Sequence, residues 1–481
     1  MKRYVILLLS LFFAVPLAAQ SRREALLEYQ ARRRQAYAEF QDNYRKACAD
    51  FMRKRWEAFR SEAPVPLPER KEPPQPVVKQ PDESAAPTQD RIPYKEVVEA
   101  PVRTVPETPA TPAAPEVPGA PKEPDGPKAP DAPAEPKLPG TKKDGDRTPP
   151  AATGKGGPAP AVVTSRPCRF TFYECRELKE QLRLNDWGYY ALVRTLSDGF
   201  FGKQSAESVV LQSFLMAEAG CKVRLARGGD RLCLLLALDD QVYAKPYFKI
   251  DGQTFYLLDD MARAASYNIC NFRMPGERPL SLAMPVPPVL AQKSGQPAVR
   301  KCGEGALTTT VAVNRNLMDF YTDYPPCYWS IYAATELTPA VRDQLYPTLR
   351  SALAGKGEYD AANLLLHYLH RAFPYKTDEA QFGVERTLFA EEMFHYPYSD
   401  CEDRSILFAR LVRDLMKLDV VLLYYPEHIA TAVCFKENVK GDYMQIGAKR
   451  YVVCDPTYVG ADVGDAMPDL KRVAAQVVKI D

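Results

Sequence analysis

Ser399-Asp400-Cys401-Glu402-Asp403-Arg404-Ser405 opens an uninterrupted apolar run and reads as the start of a helix with a cysteine in its first turn. Ser399 or Asp400 can cap that helix, and Ser399 with Glu402 has the spacing of a capping box. Leu407, Leu411, Leu415 and Leu418 recur at three- and four-residue steps, which predicts one apolar helical face. No glycine or proline interrupts the run before Pro426. A thiol in a first helical turn lies near unpaired N–H groups and the positive end of the helix dipole, which favours the nucleophilic thiolate.

A nucleophilic thiolate needs a base and a group to orient that base. The chain has only four histidines. His428 heads the strand-like run Ile429-Ala430-Thr431-Ala432-Val433, and Asp455 closes a second run, Tyr451-Val452-Val453-Cys454. Between them Asn438-Val439-Lys440-Gly441-Asp442 is turn-like. A hairpin centred near Gly441 and Asp442 would set His428 directly opposite Asp455, on one side of a sheet. There a carboxylate can hold the tautomer of an imidazole that takes a proton from Cys401. Other readings of the same residues are half of a disulfide for Cys401, a strand end for His428 and a turn starter for Asp455 before Pro456.

Helix-borne Cys, then His and Asp on neighbouring strands, in that order, resembles the transglutaminase-like superfamily of papain-fold cysteine enzymes. Asp400-Cys401-Glu402-Asp403 and Cys454-Asp455-Pro456 resemble its bacterial members. The resemblance covers roughly residues 301–481. It implies Cys401 as nucleophile, His428 as general base and acid, and Asp455 as orienter. Ser399 stands where the family often has Gly. Gln381 and Tyr398 are the candidates for a second oxyanion donor.

Upstream, residues 1–20 have the basic start, apolar run and small residues of a secretory signal peptide. The chain is therefore expected to be exported, to the periplasm or cell surface of a bacterium. Residues 21–63 contain no Gly or Pro and predict a helical segment with coiled-coil spacing. Tyr37, Tyr44 and Phe51 mark a heptad seam for a partner helix, the globular part or a surface. Residues 64–167 hold 27 of the chain's 44 prolines, so 64–165 reads as a disordered Pro-rich linker.

Residues 166–300 echo the C-terminal half. Ser205-Ala206-Glu207-Ser208 precedes a helical run, and Phe255-Tyr256-Leu257-Leu258-Asp259 parallels Tyr451-Val452-Val453-Cys454-Asp455. An offset of 197 residues early and 196 late sets Gln204, Arg231 and Asp259 against Cys401, His428 and Asp455. Neither Gln nor Arg can do the chemistry of Cys or His. Residues 166–300 are thus expected to be a degenerate copy of a catalytic domain at 301–481.

The expected fold class is α+β, a Cys-bearing helix packed on an antiparallel sheet that carries His428 and Asp455. A net charge of +2 gives no support for nucleic-acid binding. No dinucleotide fingerprint, Walker loop or CxxC pair occurs, and no cofactor or metal is expected; His367, His370 and His395 are read as surface or packing residues, with His395 a weaker competitor for the base. The expected chemistry is acyl transfer from an amide of a protein, peptide or cell-wall peptide, resolved by water or an amine. The alternative is a tethered, non-catalytic binding scaffold.

Overall fold

The computed structural model describes residues 35, 56–68, 73–80, 88–98, 172–259, 266–270, 273–302, 307–426 and 428–480. The expected signal peptide, the heptad seam and the linker beyond residue 98 lie outside these. The fold is α+β, as expected. Strands β1 (Glu57–Phe59) and β2 (Tyr94–Val98) come from the N-terminal part. β3 (Val223–Gly228), β4 (Arg231–Ala237), β5 (Tyr247–Ile250), β6 (Gln253–Leu257) and β7 (Tyr267–Cys270) follow the helix Ala206–Glu218. A hairpin, β8 (Ala298–Lys301) and β9 (Thr308–Val311), precedes five helices spread over residues 315–382. The helix Cys401–Leu411 is then followed by β10 (Asp419–Tyr425), β11 (His428–Cys434), β12 (Tyr443–Ile446), β13 (Lys449–Cys454) and β14 (Ala475–Lys479).

The two large sheets repeat one topology. The first runs β5-β6-β4-β3-β7-β1 and the second β12-β13-β11-β10-β14-β2. Strand for strand the order is the same, and each sheet ends on a strand lent by the N-terminal segment. β1 joins antiparallel to β7, β2 parallel to β14. Leu235 faces Leu257 on β4 and β6, as Thr431 faces Cys454 on β11 and β13. The expected internal echo is therefore present as topology. Its helix register differs: the first helical residue is Ala206, after the cap Ser205, so Ala206 rather than Gln204 holds the place of Cys401.

Period-two alternation explains the packing. Val420 and Leu422 of β10 enter the main core, whereas Val421, Leu423 and Tyr425 line a second core inside the curl of the C-terminal sheet. Ile92 packs into that second core, and Phe59 packs against its counterpart in the first sheet. Burying a side chain such as Ile92, 1% exposed, is worth about 2 kcal/mol. The main core is continuous from Trp187 and Leu234 to Leu407 and Val452, so the two halves share it.

Four expectations need correcting. Residues 57–59 form an edge strand rather than the end of a helix, because Glu57 pairs with Ile269 and Trp56 packs under the Arg227 guanidinium. Tertiary pairing overrides helix propensity there. Residues 64–68, 73–80 and 88–98 are placed against the folded body, so the Pro-rich linker cannot begin at 64. A boundary between 300 and 301 would cut the β8–β9 hairpin, which joins the C-terminal half through Arg300 and the carbonyls of Met393 and Tyr396. Finally, the Cys401 helix is buried on all sides and passes into a π-helical turn, Val412–Met416, rather than presenting one apolar face.

Gly441 and Gly464 form a close backbone crossing. A Cβ on Gly441 would lie 2.2 Å from Gly464 Cα, and one on Gly464 would lie 2.6 Å from Gly441 Cα. Gly447 is also left-handed, at φ +58°, but a Cβ there meets nothing within 4 Å. Gly464→Ala is expected to lower unfolding free energy by roughly 3 kcal/mol or more, and Gly447→Ala by only about 1 kcal/mol. Denaturant titration of both variants checks this, and equal costs would contradict the crossing.

Candidate active site

Asp400 is the N-cap residue of the Cys401 helix, and its N–H donates to Asp403 Oδ2 at 3.4 Å; the cap is shifted by one residue from the expected Ser399–Glu402 pair. Ser399 is held instead by the strand-like segment before it. Its N–H donates to Pro374 O at 3.1 Å, and its carbonyl accepts from Lys376 N–H at 3.1 Å. Arg404, 1% exposed, donates to Phe373 O and Ser399 Oγ and lies over the Tyr375 ring. These ties fix the turn that delivers Cys401.

His428 Nε2 bonds Asp455 Oδ2 at 2.7 Å, with both residues buried. The pairing that achieves this differs from the expected hairpin. β13 pairs with β11 through Thr431–Cys454 and Val433–Val452, two residues away from that register. A two-residue slip keeps every side chain on its own face, so His428 and Asp455 still meet, as diagonal neighbours. The turn leading into β13 lies at Gly447, because β12 occupies the intervening chain.

Asp455 is fixed at every acceptor. Oδ1 takes the N–H groups of Thr457 and Tyr458 at 2.9 and 3.1 Å. Its carbonyl is bonded by His370 Nε2 at 3.0 Å. Burial pushes the Asp455 carboxyl up, but the His428 charge, their hydrogen bond and the two backbone N–H groups outweigh it and hold it below the usual range. With Nε2 engaged by a carboxylate, His428 presents Nδ1 for proton exchange.

Ser405 joins the two parts of the site. It lies one helical turn beyond Cys401, and its hydroxyl donates to the carbonyl of Ile429, next to His428, at 3.0 Å. The Cys401 thiol donates to Glu402 Oε2 at 3.6 Å. His395, by contrast, is exposed and bordered by Arg315 and Arg386. Gln381 gives its amide N–H to Tyr398 O at 3.4 Å. Cys434 and Cys454 are free thiols.

Sequence reading missed Ser405, His370 and Glu402, because nothing local distinguishes a positioning hydroxyl, histidine or carboxylate from ordinary helix residues. It also missed the acid cluster under the helix N-terminus. Carboxylate oxygens of Asp378, Asp400 and Asp403 lie within 4.8 Å of one another, as do those of Asp378, Glu385 and Glu402. All-oxygen sets of this kind suit a hard cation such as Ca²⁺. Protons can also balance them: burial, then the Glu402 and Asp378 charges, pushes the Asp403 carboxyl well up. In the equivalent place of the first half, Tyr190 OH donates to Asp259 Oδ1 at 3.2 Å, while Arg231, at the place of His428, is exposed.

Comparison with protein-family models, with curated proteins and with solved structures gave no match. Among the described residues, no helix is long and apolar enough to cross a membrane.

Two carboxyls beside the site set a pH dependence. Burial pushes Glu391 and Glu392 up to about 7, against stabilising contacts with Thr338 and with Arg386. Burial lowers His370 to about 4. The fold retains the glutamate protons, so their stabilisation is complete below the unfolded value of about 4.3 and is lost as pH rises through about 7. His370 acts oppositely: its contribution is complete above about 6.5 and is lost as pH falls through about 4. Glu391→Gln removes one glutamate contribution. Its thermal midpoint is expected to rise relative to the parent protein as pH goes from about 5 to 8, and a pH-independent difference would contradict the assignment.

Proposed function

We propose that the C-terminal half is a transglutaminase-like cysteine hydrolase or acyltransferase acting on amides. The observation that carries this reading is the buried His428–Asp455 bond of 2.7 Å, tied through Ser405 and Ile429 to a helix that begins at Cys401. Cys401 is the nucleophile, His428 the base and acid, and Asp455 the orienter. The setting of the three residues supports the same assignment: the cysteine at a buried helix N-terminus, the histidine at the head of β11, and the aspartate just past the end of the neighbouring β13.

The reaction follows from the groups present. His428 Nδ1 takes the Cys401 proton, and the thiolate forms a C–S bond with the amide carbonyl carbon. The oxyanion develops near the first-turn N–H groups of the Cys401 helix, where the dipole favours negative charge. Collapse breaks the C–N bond, and the imidazolium proton goes to the leaving amine. Water or an incoming amine then attacks the thioester, gives its proton to His428 and releases Cys401. Water yields a peptidase or amidase, and a lysine amine yields a crosslink.

Export to the periplasm or cell surface belongs to the same proposal, on the strength of residues 1–20, and it suits protein or cell-wall peptide substrates. The first half fits a non-catalytic role, since Ala206 and Arg231 replace the nucleophile and base.

The test is the pH profile of iodoacetamide labelling of Cys401, read by mass spectrometry. Burial pushes Cys221 up to about 11 and Cys233 up to about 12, so neither competes near neutrality. The expected profile has its midpoint well below the ordinary thiol value of about 8.5 and moves up in His428→Ala. An ordinary thiol profile, unchanged by His428→Ala, would favour the binding scaffold.

A further inference from the structure

A cavity of about 690 Å³ lies between the two halves. Trp187, Tyr321, Trp329 and Tyr332 give it aromatic walls, and Leu67 and Pro68 of the N-terminal segment form part of the lining. Its link to the nucleophile is Glu385. That residue lines the cavity, and its carboxylate lies within 4.8 Å of the Glu402 carboxylate, which accepts from the Cys401 thiol. A bound chain entering the cavity would therefore approach the cysteine from the side of Glu402.

The same N-terminal segment is anchored on both sides of the site. Ala244 N–H donates to Val65 O at 2.7 Å, from a left-handed backbone at φ +56° that an alanine adopts at a cost. Tyr375 OH donates to Pro73 O at 3.1 Å, and Tyr375 itself is bridged to Ser399, two residues before Cys401. On the far side, Lys79 N–H donates to Val459 O and Val459 N–H to Val77 O, both at 2.9 Å. Val459 belongs to the loop that begins at Asp455. Lys79 Nζ also pairs with Asp465 at 2.8 Å. Pro74, Gln75 and Pro76 thus bridge from the cysteine side to the aspartate side. With the segment in place, Cys401 is 1% exposed and Asp455 2%.

We propose that residues 64–68 and 73–80 act as an autoinhibitory strap on the substrate cleft, and that the cleft accepts extended, proline-containing apolar peptide. This names a substrate class for the site and rests on the catalytic reading above. The chemistry of the contacts is that of an extended ligand: main-chain carbonyls accept from the body, and Leu67 and Pro68 meet an aromatic-lined hollow. Aromatic-lined grooves suit polyproline conformations. Six prolines between 64 and 76 restrict the free strap, which lowers the entropy lost on binding. An external peptide of the same kind competes for the cleft, and release of the strap exposes Cys401.

The experiment compares iodoacetamide labelling of Cys401 in the full chain and in Leu67→Asp/Lys79→Asp, which removes the apolar anchor and reverses the ion pair. Labelling is expected to accelerate by about ten-fold or more in the variant, the rate following the open fraction. A synthetic peptide of residues 64–80 is expected to restore the slow rate, and a scrambled proline-free peptide is not. Should the double variant unfold by circular dichroism, Tyr375→Phe, which deletes only the donor to Pro73 O, carries the same comparison. An unchanged rate in a folded variant overturns the strap, and so does acceleration that the peptide leaves untouched. Failure of the catalytic reading looks different: labelling accelerates and responds to peptide, but its pH profile is that of an ordinary thiol and ignores His428→Ala.

Discussion

The Asp455 carboxylate is the constraint around which the C-terminal half is arranged. It is a buried charge, and an unpaired one would cost several kcal/mol. Here Thr457 and Tyr458 supply two N–H donors and His428 a third partner. His370 holds the carbonyl of the same residue, and Thr431 Oγ1 donates to the carbonyl before it. Those contacts draw together β11, β13, the loop after β13 and the helix Glu358–Ala372. Once they are made, the orientation of the His428 ring is determined, and Ser405 sets the Cys401 helix against it.

The chain uses one sheet topology twice and completes each sheet with an N-terminal strand. The first copy keeps Asp259 but bonds it to a tyrosine, which satisfies the carboxylate without creating a proton acceptor. The second bonds its aspartate to the imidazole of His428 instead. The N-terminal segment does more than edge the sheets: Phe59 and Ile92 enter the cores inside their curls, and Pro73, Val77 and Lys79 between them bond to Tyr375 and Val459.

The helix start at Cys401, the two strands and the meeting of His428 with Asp455 were legible because caps, period-two alternation and turn breaks are local signals. The register was not. Asn438 to Asp442 looked like a hairpin turn, yet Gly441 serves a backbone crossing with Gly464, and the turn into β13 falls at Gly447, which has no strong turn partner in sequence. The face survived because the slip was by two residues. Burial of Glu402, Asp403 and Arg404 inside a helix has no sequence signature, since such residues normally mark a solvated face. The prolines of residues 64–80 were misread for a related reason. A strap and a spacer have the same composition, and only the surface that receives the segment distinguishes them.

The central claim is that Cys401 is ionised by His428 held on Asp455. Thiolate absorbance in the near ultraviolet reads this directly and does not depend on access through the strap. Difference spectra between the full chain and Cys401→Ser across pH are expected to show a thiolate at about pH 6 that disappears in His428→Ala. A signal that grows in only above about pH 8.5, with or without His428, would contradict the account.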